Sequence, residues 1–99
     1  MPTFKVSTKA EADLYDIGLY TQNKFGIKQR NRYLDEIVEK FQVLAKQPKL
    51  GQNRSTLKTE CYSSLINSHV IFFQRHSYGI RIIRVLHQSM DLPKHLQPS

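Results

Sequence analysis

The run from His69 to His87 constrains the fold of this chain more than any other stretch. Residues 69–75 read H-V-I-F-F-Q-R and residues 80–87 read I-R-I-I-R-V-L-H. Both segments are rich in β-branched and aromatic side chains. The four residues between them, His76 to Gly79, end in glycine, and the whole reads as a β-hairpin. Period-two alternation along residues 80–87 puts Arg81 and His87 on one face and Arg84 on the other. Arg84 shares its face with Ile80, Ile82 and Leu86. That face is therefore expected to be the apolar one, where a guanidinium needs a partner.

Upstream, the pattern changes period. Leu34, Ile37, Val38, Phe41, Leu44 and Ala45 recur at helical spacing, opposite Asp35, Glu36, Glu39, Lys40 and Lys46. Pro48 prevents continuation and Gly51 marks the following loop. An earlier helix is expected to start at Thr8, whose spacing to Glu11 is that of a capping box. It should run to about Lys24, with Gly26 as the left-handed residue past its end. The link between the helices is very short, so they should form an antiparallel pair. Residues 4–6 read as a short first strand and residues 58–65 as a weaker one. The order β-α-α-β-β-β implies an α+β fold, with the helix hairpin on one face of a small antiparallel sheet. The tail from Gln88 carries Pro93 and Pro98 and should be irregular.

Ninety-nine residues make one domain with a modest core. The first residues contain no apolar signal-peptide segment, and the longest apolar run, residues 70–73, is far too short to span a membrane. A single cysteine, Cys61, can form no internal disulfide, which fits a reducing cytoplasm. In its strand-like context it is expected to be a small buried residue. The net charge of +7 comes from 15 Lys and Arg against 8 Asp and Glu. Residues 51–99 are basic because acids are scarce there, not because bases cluster. Such a surface favours polyanions or acidic partner segments, or simply keeps the chain soluble.

The first helix has two apolar stripes. Leu14, Ile17, Gly18 and Phe25 suit the sheet and the second helix. Ala12, Tyr15 and Leu19 form the other stripe, with Tyr20 between the two. A helix apolar on two sides, in so small a domain, is either enclosed or covered by a partner.

The particular residues go further than the periodicities. The C-terminal string "HVIFF…GIRIIRVLHQSMD…HL" resembles the end of the ParE toxins, the gyrase-poisoning branch of the RelE/ParE toxin–antitoxin superfamily. "ADLYDIGLY" (Ala12 to Tyr20), Gly26, "YLDEI…FQVLAKQP" (Tyr33 to Pro48) and Gly51 look like that family's two helices. Only residues 52–68 match it poorly. The resemblance implies a cytoplasmic toxin that binds DNA gyrase, holds it in its DNA-cleaved state and is neutralised by the C-terminal segment of a cognate antitoxin. It places target contacts on Arg81, Arg84, His87 and His95, and antitoxin contacts on Ala12, Tyr15, Leu19 and Tyr20. The antitoxin segment would bind by helix-in-groove contacts and by adding a strand to a sheet edge.

The RelE branch of the superfamily cleaves mRNA in the ribosome, which requires a base, an acid and cations around one phosphate. Arg54, Lys58, Glu60, Arg81, Arg84 and His87 are the residues to test against that chemistry. Arg81 and His87 lie roughly 20 Å apart along a regular strand and do not meet at one phosphate. Gln88 stands where several nuclease relatives carry an aromatic residue. The ribonuclease reading therefore ranks second, and a toxin fold that only binds its antitoxin ranks third. His69, His76, His87, His95 and Cys61 lack the spacing of a zinc site, so no metal or cofactor is expected. No aromatic–basic repeat suggests base stacking on a sheet. No helix has the basic face that sequence-specific DNA binding in the major groove requires.

Overall fold

The computed structural model describes residues 2–55 and 60–90. The element order is β1 (Thr3–Val6), α1 (Thr8–Phe25), α2 (Ile27–Lys46), a 3-10 turn (Pro48–Leu50), β2 (Gln52–Asn53), β3 (Cys61–Ile66), β4 (His69–His76) and β5 (Gly79–His87). The five strands form one sheet in the order β1-β5-β4-β3-β2. The α+β layout of a helix pair on one sheet face is the expected one. The sheet, however, is mixed: β1 pairs in parallel with β5, while the other pairings are antiparallel. Residues 4–6 alone could not reveal this, because a chain that leaves β1 through two helices can return to either side of it.

The helices form where their sequences favour them, with small shifts at the ends. The cap of α1 is Ser7, one residue before the expected Thr8. Its Oγ accepts from Ala10 N–H at 3.1 Å and donates to the Ile83 carbonyl at 2.9 Å, so one hydroxyl starts the helix and pins it to β5. Gly26 ends α1 with φ of +92°, and its N–H donates to the Gln22 carbonyl. Gly26 is also the whole link to α2, which fixes the helices as an antiparallel pair. Between them, Gly18 lets Leu34 approach. A Cβ there would lie 3.4 Å from Leu34 Cδ1.

The main core lies between helices and sheet and includes Ile17, Ile37, Phe41, Leu44, Ile71, Phe73, Ile80, Ile82 and Val85. A second buried cluster, of Cys61, Val70, Phe72, Ile83 and Leu86, lies on the other face. Cys61 is buried there, as its strand context suggested. Val38 and Phe25 depart from expectation, at 37% and 66% exposure. Phe25 is the last residue of α1, where the chain has already turned away from the sheet. The strand expected at residues 58–65 is described only from Cys61 and extends to Ile66. The loop after Gly51 holds the two-residue β2, too short for any periodicity to show. In the hairpin, His76 pairs with Gly79, so the turn is only Ser77 and Tyr78. Among the described residues, no helix is long and apolar enough to cross a membrane.

Candidate functional site

Two surfaces carry the residues singled out by the sequence. The first is the second half of β5. Its register against β4 pairs Ile82 with Phe73 but Arg84 with Phe72, so Ile83 is an extra residue on β5. This is a β-bulge, and it inverts side-chain parity beyond it. The expected alternation is therefore corrected. Arg81, opposite Gln74, and Arg84, opposite Phe72, share the face away from the helices. His87, opposite His69, lies on the helix side.

Arg81 is exposed, whereas Arg84 is engaged. Arg84 Nε donates to Asp13 Oδ2 at 2.8 Å and Nη2 donates to Oδ1 at 2.9 Å. Asp13 Oδ2 also accepts from the Val85 N–H at 3.0 Å. β1 has ended by this point, so the carboxylate satisfies a strand-edge donor that has no strand beside it. The hydrogen bonds that Arg84 donates to Asp13 favour its charged guanidinium and raise its pKa above the ordinary value, against a smaller opposing effect of burial. Arg84 thus has the partner that its sequence setting demanded. It gains it at the sheet edge, not by pointing into the helix layer.

His87 belongs to a half-buried polar cluster. Its ring meets that of His69 edge-to-face at 5.4 Å, and its Nδ1 lies 2.7 Å from Ser89 Oγ. His69 Nδ1 lies 2.7 Å from the Tyr33 hydroxyl, which also reaches the Ile66 carbonyl at 3.2 Å. Burial lowers the pKa of His69, and the neighbouring His87 lowers it further. Tyr33 is raised, chiefly by burial. Arg54 is held at the far side of the sheet by Ser63, 3.0 Å from its Nε. Ser63 is on β3, two strands away from β5, about 10 Å. Arg54, Arg81 and Arg84 thus lie on the sheet face away from the helices, Arg54 two strands apart from the others, while His87 lies on the helix side. Lys58 and His95 lie outside the described residues. Among those residues, no three His, Cys, Asp or Glu side chains are grouped to hold a metal ion.

The second surface is a groove between α1 and α2, about 210 Å³ in volume. Tyr15 and Leu19 form one wall, and Asn31 and Leu34 the other. Arg30 Nη1 donates to Gln22 Oε1 at 2.6 Å and closes one end. Tyr15 is 68% exposed and Leu19 42%, so the groove is an apolar trough open to solvent. Ala12 and Tyr20 are exposed but do not line it; the Tyr20 hydroxyl accepts from Lys24 Nζ at 3.1 Å. The α2 wall was not evident in the sequence, where Leu34 counts as a core position of its helix. Asp13 had no local signal at all, since its partner is 71 residues away.

Residues 4–92 match the family model described as the ParE toxin of the type II toxin–antitoxin system, parDE. The chain belongs to the ParE toxin family. Toxin ParE1 of Caulobacter vibrioides is 35% identical over 96 residues, covering 97% of this chain and 99% of that relative. Toxin ParE1 of Mycobacterium tuberculosis is 29% identical over 94 residues, covering 94% and 96%. Among solved structures, the chromosomal ParDE toxin–antitoxin system from P. aeruginosa superposes with a TM-score of 0.75. That match covers 88% of this chain and 96% of the other at 21% identity, a likeness of fold. The ParE match spans α1, α2 and all five strands, so residues 52–68, the weakest part of the resemblance, fall within it.

Proposed function

We infer that this ParE-family toxin binds DNA gyrase and stalls it with its DNA cut, and that a cognate antitoxin neutralises it by laying an apolar segment into the α1–α2 groove. It acts in the cytoplasm, by binding and not by covalent chemistry. The observation that carries the binding mode is the bulge at Ile83. With it, the exposed cation Arg81 and the histidine His87 lie on opposite faces of the sheet, and Arg84 is committed to Asp13. General acid–base cleavage of RNA needs those groups at one phosphate. Membership of the ParE toxin family supports gyrase as the target. The groove supports the antitoxin contact, because Tyr15 and Leu19 present apolar area at helical spacing to the outside.

The test is a plasmid supercoiling assay with purified gyrase and toxin, run beside a ribosome-programmed mRNA cleavage assay. Inhibited supercoiling with accumulated cleaved plasmid, and intact mRNA, is the expected result. Cut mRNA that disappears with His87→Ala, with supercoiling untouched, would replace gyrase inhibition by ribonuclease activity. Inactivity in both assays, with tight antitoxin binding, would leave a toxin fold that serves only its antitoxin.

A further inference from the structure

Several cations without a carboxylate partner among the described residues meet at one end of the molecule, where α2 stops and β4 turns into β5. Two depressions of about 730 and 490 Å³ adjoin there and share Lys46, Pro48 and Arg75 in their walls. Lys49 lines one of them and His76 the other, and no Asp or Glu lines either. Lys5 joins at the rim, with its Nζ 4.6 Å from the centre of the Tyr78 ring. Lys5, Lys46, Lys49, Arg75 and His76 are all exposed. Among the described residues, none of these five forms an ion pair with a carboxylate. Glu60 directly precedes Cys61, the register partner of Gln74, but it forms no ion pair with any of the five. On α2 the acids stop at Glu39, about 10 Å along the axis from Lys46.

A favourable helix dipole accounts for Lys46 alone. It does not account for cations arriving at the same place from β1, the 3-10 turn and β4. Arg75 is held ready without being neutralised. Its guanidinium lies 3.8 Å from the centre of the Tyr62 ring, and Nη2 donates to the Pro48 carbonyl at 3.3 Å. A planar guanidinium fixed by a ring and a neutral carbonyl keeps its full charge for a phosphate. Beside it, the rings of His76 and Tyr78 lie nearly parallel, 5.2 Å apart at 5°. His76 is the exposed member of that pair.

We propose that this end of the molecule is a docking surface for single-stranded DNA, with Lys46, Lys49 and Arg75 on successive phosphates and His76 offering its ring to a base. A cationic trough with an exposed aromatic platform is the arrangement that binds single strands without regard to sequence. An acidic protein segment would use the cations but leave the stacked rings without a role. The choice of DNA over RNA rests on gyrase as the target, since that enzyme presents cut DNA.

The experiment is fluorescence anisotropy of the full-length toxin with a labelled 20-nucleotide DNA strand of mixed sequence, at 50 and 200 mM NaCl. Contact with about three phosphates gives a log–log salt slope of roughly −2, hence affinity lower by roughly 20-fold at the higher salt. Lys46→Glu with Lys49→Glu should cost tenfold or more and flatten that slope. His76→Ala should cost about fivefold at either salt. Lys28→Ala, exposed at the opposite end of α2 from Lys46, should change nothing. Far-UV circular dichroism confirms folding of each variant, all at exposed positions.

Absence of salt-dependent binding, or equal affinity in the Lys46/Lys49 double variant, overturns the proposal. So does tighter binding of the matching duplex, of RNA of the same sequence or of a poly-glutamate peptide. Supercoiling inhibition measured on the same samples separates the two readings. Gyrase inhibition without DNA binding removes this surface alone, and DNA binding without gyrase inhibition removes gyrase alone.

Discussion

Arg84 and Asp13 form a two-toothed ion pair across 71 residues of sequence, with contacts of 2.8 and 2.9 Å and side chains only 18% and 11% exposed. The same carboxylate takes the Val85 N–H, so α1 and the edge of β5 hang on one side chain. Replacing Arg84 by Ala leaves Asp13 half-buried and short of a partner. The expected loss is about 1–3 kcal/mol. For a domain of this size it appears as a fall in Tm of roughly 10 °C, measurable by thermal unfolding. Asp13→Ala should cost at least as much, because it also strands the Val85 N–H.

Arg81 is the counterpart on the same sheet face. It is exposed and makes no described ion pair. Arg81→Ala should leave stability within about 0.5 kcal/mol, as at an ordinary surface site. It should still weaken gyrase inhibition by tenfold or more, read as the toxin concentration that halves supercoiling. Full inhibition by this variant would move the target contact off this face.

Tyr15→Asp with Leu19→Asp puts two charges into the apolar trough. Affinity for the antitoxin, measured by isothermal titration, should fall by several kcal/mol. Tyr20→Ala, outside the trough, should leave it within about twofold. Equal losses at Tyr20 and in the double variant would show that the partner covers the outer face of α1 instead of the groove.

Stability should depend on pH through His69. Burial and His87 lower its pKa in the folded state below the ordinary histidine value of about 6.5, so the unfolded chain binds the proton more readily. The contribution is then fully present above about pH 6.5 and is lost as pH falls towards the lower folded value. The Tm should drop between pH 7.5 and pH 5.5, and His69→Asn should reduce that drop. An unchanged pH dependence in the variant would assign it to other groups.

Gly79 is bound to its identity by two features. Its φ is +140°, and a Cβ there would overlap the Thr3 carbonyl oxygen of the neighbouring strand. Gly79→Ala should therefore separate β1 from β5 and cost several kcal/mol, with a loss of the β1–β5 amide protection seen by hydrogen exchange. Retained protection of β1 would show that the strand edge can yield.

The helices and the C-terminal hairpin were legible because they are local. Apolar periodicity set α2, and the β-branched runs with their closing glycine set β4 and β5. What stayed hidden depends on pairing across space. The bulge at Ile83 exists only relative to Phe72 and Phe73 on β4, and it reversed which residues accompany Arg81. Strict alternation gave Arg81 the wrong companion, His87, and denied it the right one, Arg84. Strict alternation gave Arg84 a need for a partner through Ile80 and Ile82; the structure puts those two on the other face, and Arg84 is paired all the same. The identity of that partner was not legible, since Asp13 looks like any acid in the first half of a helix. In the groove, Tyr15 and Leu19 stood out as surplus apolar area, while Leu34 on the facing wall was indistinguishable from core.

The place of β5 in the sheet bears on how the chain becomes a toxin. β5, the last of the described strands in chain order, is the one to which β1, β4 and α1 all attach. A nascent chain that stops before Gly79 has its helices but no strand on which to seat its first one, and its apolar core stays open. Contacts that join the two ends of a sequence form late and together. The core therefore closes in one step once β5 has joined the sheet, and a chain interrupted before Gly79 has no partly built sheet that could stand in for it.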